Sequence, residues 1–116
     1  MDLLTTSVTT GISGGETFTL VALSGEADVT NCDTLRGVLE GEVTKRPRTL
    51  VIDMSGLRFM DSSALHVVLH VNRVMDRQGS VLALAAPRQA VAKMLRLTAA
   101  DQLIPVYPSV EEAITV

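Results

Sequence analysis

A chain of 116 residues, 47% hydrophobic but only 3% aromatic, is expected to form one domain, residues 1–116, around an aliphatic core of Val, Leu, Ile, Met and Ala. Its formal charge of −3 gives no electrostatic reason to expect nucleic acid or an anionic membrane surface as a partner. Cys32 is the only cysteine, which excludes an intrachain disulfide framework and a cysteine-based zinc cluster.

Taken in order, Met1 to Thr6 lacks the basic start and apolar middle of a secretory signal, and no apolar run approaches the length of a bilayer span. The expectation is a soluble cytoplasmic protein. Residues 5–12 are rich in Thr and Val and predict a first strand. Ser13-Gly14-Gly15 is a tight turn, and residues 17–23 predict a second strand, antiparallel to the first and ended by Gly25. Thr30 followed by Asp33 marks a helix start, with Cys32, Leu35, Val38, Leu39 and Val43 on one apolar face. Pro47 stops that helix, and Lys45, Arg46 and Arg48 sit near its negative end.

Residues 50–54 then predict a buried strand, broken by Ser55-Gly56. Asp61-Ser62-Ser63 places side-chain oxygens at the start of a run with helical spacing, where they can accept hydrogen bonds from free first-turn amides. Ala64, Val67, Val68, Val71 and Met75 converge on a core-facing stripe, and Gly79 ends the helix. Ser62, His66, Leu69, His70, Arg73 and Arg77 fall on the other side, so that Leu69, flanked by Leu65, is an aliphatic residue in a polar face. Residues 81–85 predict a fully apolar strand, and Val91, Met94, Leu95 and Leu97 a short helix ending near Thr98. Residues 103–107 are extended, at an edge because Pro105 cannot donate to a ladder, and Ser109 with Glu112 forms a capping box for a last helix. Helices alternating with strands imply parallel pairing after the hairpin. The expected fold is therefore α/β: a mixed sheet of four to five strands, with one antiparallel edge strand and helices mainly on one face.

Two blocks carry a resemblance. Leu57-Arg58-Phe59-Met60-Asp61-Ser62-Ser63-Ala64-Leu65 resembles the phosphorylation loop of bacterial anti-sigma factor antagonists, which are single STAS domains, and Leu23-Ser24-Gly25-Glu26-Ala27-Asp28 resembles that family's Leu-x-Gly-Glu-x-Asp segment. The resemblance implies the STAS fold and a phosphorylation site at Ser62. It further implies a regulator of transcription in stress responses that works by partner switching. The unphosphorylated form would bind a serine-kinase-like anti-sigma factor and free a sigma factor. Kinase action on Ser62 would release it, and a serine phosphatase would reverse the step. ATP and magnesium would belong to the kinase, so the chain itself needs no cofactor. Asp28, Asp61, Ser63, Leu65, His66, Leu69 and Arg73 are the expected partner-binding residues. Ala64 and His66 depart from the family pattern, standing where glycine is frequent.

Each residue also has a plainer role. Ser62 and Ser63 serve equally well as helix caps, with Ser63 favoured as one, and Asp53 as a solvated strand-end residue. Asp61 is a cap, or orients the serine hydroxyl or a kinase-bound metal. His66 and His70 have the i, i+4 spacing of metal ligands but no third ligand, so no metal site is expected. A hydrolase using Ser62 and His66 would belong to another class; it lacks a Gly-x-Ser-x-Gly elbow and an orienting acid, and the chain is read as a non-enzyme. A STAS scaffold subunit of a stress-signalling complex or of an ABC lipid transporter is the alternative that shares the fold.

Overall fold

The structure, a computed structural model, describes residues 4–115. Met1 to Leu3, on which the reading of the N-terminus partly rests, lie outside the described residues. Five strands form one sheet in the order β1 (Leu4–Ser13), β2 (Glu16–Ala27), β3 (Thr49–Met60), β4 (Val81–Ala85), β5 (Val106–Tyr107). Only β1 runs antiparallel to its neighbour. The turn between β1 and β2 is Gly14-Gly15, with φ of 57° and 81°, the left-handed values that a two-residue hairpin loop requires. The helices are α1 (Cys32–Val43), α2 (Ser62–Arg77), α3 (Gln89–Leu97) and α4 (Val110–Ile114), with a single 3-10 turn at Ala100–Gln102.

β3 lies at the centre of the sheet and divides the core. Leu50, Ile52, Met54, Leu57 and Met60 join the main cluster under α1, α2 and α3, to which those helices contribute Leu35 and Leu39, Val68 and Met75, and Val91 and Leu95. Val51 points the other way, where Ala83, Ala85 and Ala113 pack with Leu20, Tyr107, Val110 and Ile114 of the α4 side. The predicted stripe of α2 is buried, and Leu65 joins it at 4% exposure. This corrects the placement of Leu65 on the outer face: the apolar arc of the helix is wider than one residue per turn. Leu69 is half-buried and packs against the same cluster.

Two strands run further than expected. β2 continues through Gly25, at φ 102°, to Ala27, and β3 continues through Ser55-Gly56 to Met60. The pairing of β2 with β3 shifts register between Ala22 and Ser24 and again between Gly25 and Glu26. These are bulges, which bend a strand without ending it, and a glycine in a strand marks one as readily as it marks a stop. Asp53 is accordingly no strand end; its Oδ1 accepts a hydrogen bond from the Ser55 amide at 2.9 Å. Gly56 stands in a crowded place: a Cβ there would lie 3.0 Å from the Leu23 carbonyl oxygen and 3.1 Å from Ser24 Cβ, so the neighbouring strand would have to give by a few tenths of an ångström. Gly56→Ala is expected to cost about 1–3 kcal/mol, the usual price of overpacking, measured as a lower urea midpoint with an unchanged slope.

The start of α1 also differs. Its N-cap is Asn31, which makes no side-chain cap bond, rather than Thr30. Asn31 is buried and turned into the fold, donating from Nδ2 to the Glu26 carbonyl at 2.9 Å and accepting from the Asp28 amide at 2.9 Å. The C-terminal capping box holds in modified form: Ser109 Oγ accepts from the Glu112 amide at 3.2 Å, while the glutamate carboxylate meets the serine hydroxyl at 3.1 Å.

Candidate functional site

The site forms where the long strands β2 and β3 deliver their ends side by side. Ala27 pairs with Met60, and the Asp61 amide donates to the Ala27 carbonyl at 3.0 Å. Asp61 is the N-cap of α2 and uses both carboxylate oxygens. Oδ1 accepts from the Ala64 amide at 3.1 Å, and Oδ2 accepts from the Val29 amide at 3.0 Å. One side chain thus caps the helix and clamps the loop between β2 and α1 against it.

That loop is stiffened from within. Asp28 Oδ1 accepts from both the amide (2.9 Å) and the hydroxyl (2.5 Å) of Thr30. The Thr30 hydroxyl, then its amide, hold the Asp28 carboxyl below the ordinary carboxylate range against a smaller opposing effect of desolvation. A lowered folded value means that the bond stabilises the fold above the ordinary carboxylate pKa. That contribution fades as pH falls through the lowered value. Thr30→Val removes the larger contact, so the Asp28 carboxyl should titrate at higher pH in that variant, as read by NMR.

Ser62 follows immediately as the first residue of α2, exposed, with no hydrogen bond to its hydroxyl among the described residues. Ser63, half-buried, makes none either, so the expectation that it caps the helix is not met: Asp61 already serves the first turn. The hydroxyl of Ser62 is free at a helix end whose first amides have no intrahelical acceptor. His66 is exposed one turn on, and His70 is exposed with its Nε2 3.9 Å from Glu40 Oε2 of α1. Among the described residues no group of three or more His, Cys, Asp or Glu is placed to hold a metal ion.

The remaining expected contact residues lie further along. Leu69 and Arg73 stand about 10 Å and 16 Å along the helix from Ser62, at 1.5 Å per residue. They line a groove of about 420 Å³ with Asn72, Val81, Leu103 and Pro105. The structure therefore brings Asp28, Asp61, Ser62 and Ser63 together, keeps His66 beside them, and separates Leu69 and Arg73 toward β4 and β5. Two neighbours of the site were missed in the sequence: Val29 and Phe59, 67% and 48% exposed. Val29 is bonded to Asp61 through its amide, and Phe59 lies two residues before Asp61, opposite Glu26. The signal for Val29 was an apolar residue alone between Asp28 and Thr30. For Phe59 it was one of only two phenylalanines, standing within the run from Leu57 to Leu65 that carries the resemblance.

The sequence profile of the STAS domain matches residues 7–113, and the chain belongs to that family. It is 28% identical over 97 residues to an anti-sigma F factor antagonist of Paenibacillus polymyxa, covering 83% of each chain. It is likewise 28% identical over 98 residues to the anti-sigma-F factor antagonist RsfA of Mycobacterium tuberculosis, covering 83% of this chain and 77% of that one. Among solved structures, an anti-sigma factor antagonist from Mycobacterium paratuberculosis superposes with a TM-score of 0.83 at 26% identity, over 96% of this chain and 91% of the other. No helix among the described residues is long and apolar enough to cross a membrane.

Proposed function

We propose that the chain is an anti-sigma factor antagonist whose binding is switched by phosphorylation of Ser62. The observation that carries this reading is a free, exposed serine hydroxyl on a surface clamped by Asp61. The antagonist relatives support the partner class. The unmodified protein binds a serine-kinase-like anti-sigma factor through the face around Asp28, Asp61, Ser63 and His66, flanked by the exposed side chains of Val29 and Phe59. Binding frees the sigma factor. The kinase, bringing ATP and magnesium, modifies Ser62 and is released, and a serine phosphatase restores the hydroxyl.

The chain acts as a binding module of the cytoplasm, without direct contact to nucleic acid or membrane. Catalysis by Ser62 itself finds no support, because no hydrogen bond joins its hydroxyl to His66. Among the described residues no carboxylate forms an ion pair or hydrogen bond with His66 to orient it. Leu69 and Arg73 extend the docking face if the partner reaches along α2; because Leu69 also packs on the core, Leu69→Glu should weaken both binding and folding. The test is incubation with the cognate kinase and magnesium-ATP, followed by peptide mapping. Phosphate on Ser62 is expected; phosphate confined to Ser63 or a threonine overturns the assignment.

A further inference from the structure

We propose that the outer edge of β1 is the seam of a homodimer, in which two copies join β1 to β1 antiparallel and extend their sheets into one. β1 is ten residues long and stands at the end of the sheet. Its inner side is paired without interruption from Leu4 opposite Gly25 to Ser13 opposite Glu16. An edge strand of this kind turns a row of backbone N–H and C=O groups outward, and proteins that stay apart protect such rows with charges, proline, bulges or brevity. The other edge is protected in two of these ways: β5 has two residues and follows Pro105. β1 has none. From Leu4 to Ser13 there is no charged residue and no proline, its register against β2 has no bulge, and Val8 and Ile12 are 42% and 73% exposed.

A second copy fits this edge better than an unrelated strand does. Val8 lies opposite Val21, and Thr6 opposite Leu23, so the even-numbered residues of β1 share the helix-bearing face. A two-fold axis through Val8 sets Val8 against its own copy and Thr6 against Thr10 on that face. β-branched residues then meet across the seam with no like charges opposed. The ends are complementary as well. Lys45, which also pairs with Glu42 at 3.2 Å, and Arg46 border Thr10 and Ile12 at one end of the strand, whereas the other end lies opposite Gly25, next to Asp28 and to Glu26, which also pairs with Arg58 at 3.6 Å. Antiparallel pairing brings the basic end of each copy to the acidic end of the other. Ser62 follows β3, which lies two strand spacings, about 10 Å, inward of β1, so the seam leaves it uncovered and each dimer presents two free sites.

The test is sedimentation equilibrium of the full chain up to its solubility limit. Wild type is expected to dimerise, and Val8→Lys to weaken dimerisation at least about tenfold by opposing two ammonium groups at the axis, with an unchanged circular dichroism spectrum. Should Val8→Lys fail to fold, the double variant Thr6→Lys, Thr10→Lys, which opposes ammonium groups at both Thr6–Thr10 pairs across the seam, is expected to have the same effect. In a Cys32→Ser background, Val8→Cys should give a disulfide-linked dimer on mild oxidation and Thr9→Cys should not. Wild type that stays monomeric throughout overturns the proposal, as do folded lysine variants that still dimerise. Cross-linking through Thr9→Cys alone, or an edge occupied by a foreign strand in preference to a second copy, overturns it too.

Discussion

Phosphorylated at Ser62, the protein is expected to bind its anti-sigma factor at least about tenfold more weakly than the unmodified form, a loss of about 1.4 kcal/mol or more. The modification adds about −1.5 to −2 charges and three acceptor oxygens at an exposed helix start. The local helix tolerates this, since an anion near its N-terminus gains about 0.3–1 kcal/mol from the dipole. The partner does not benefit, because closing over the phosphate means stripping its water beside the carboxylate of Asp61. Repulsion and desolvation should outweigh the dipole at the interface, while the fold should survive. Ser62→Ala should bind normally and resist the kinase at that position. Because the hydroxyl makes no hydrogen bond, its loss should change stability by no more than about 0.5 kcal/mol. Ser62→Asp should fall between the two forms, carrying less charge and one oxygen fewer. Calorimetric titration of each against the anti-sigma factor decides the matter; equal affinity of phosphorylated and unmodified protein refutes the mechanism.

Asp61→Ala is expected to be the most damaging substitution at the site for both folding and binding. It removes a helix cap, worth about 0.5–2 kcal/mol, and the tether to Val29, a further hydrogen bond of about 0.5–1.5 kcal/mol. The Val29 amide is exposed and recovers water, whereas Ala64 is buried, so the combined loss should be about 1–3 kcal/mol, seen as a drop of several degrees in Tm. Partner affinity should fall by more than stability alone explains, because the loop carrying Asp28 and Val29 is no longer held beside Ser62. Asp61→Asn separates the contributions: its single carbonyl oxygen can serve only one of the two amides. Wild-type affinity in a folded Asp61→Ala protein would show that the clamp is dispensable for recognition.

The chain order of the fold was legible because its signals were local. The glycine pair of the hairpin, the short apolar run that opens β3, the Asp61 start of α2 and the Gly79 stop each act within a few residues. Where the expectation stopped short, at Gly25 and Gly56, the deciding partner was on another strand: the Leu23 carbonyl that crowds Gly56 is distant in sequence. Asn31 was passed over for the same reason, since its acceptor at Glu26 is visible only once the loop is closed. At the site, Asp61 and Ser62 could be singled out from spacing and resemblance, but not the division of labour between them. The serines looked like caps until one carboxylate was seen to have taken that work. Leu65 was misplaced because a helical projection counts angles and not the width of the sheet beneath.

The two-handed grip of Asp61 also bears on tempo. A switch that must fold or unfold a segment is slowed by that transition in each direction. Here Asp61 already holds the loop and the helix start together in the unmodified protein, so the proposed phosphorylation would call for no rearrangement of either. Information would be written as charge on a rigid surface. The speed of each reversal would then be set by the kinase and phosphatase alone, and a dephosphorylated molecule would be ready for its partner at once.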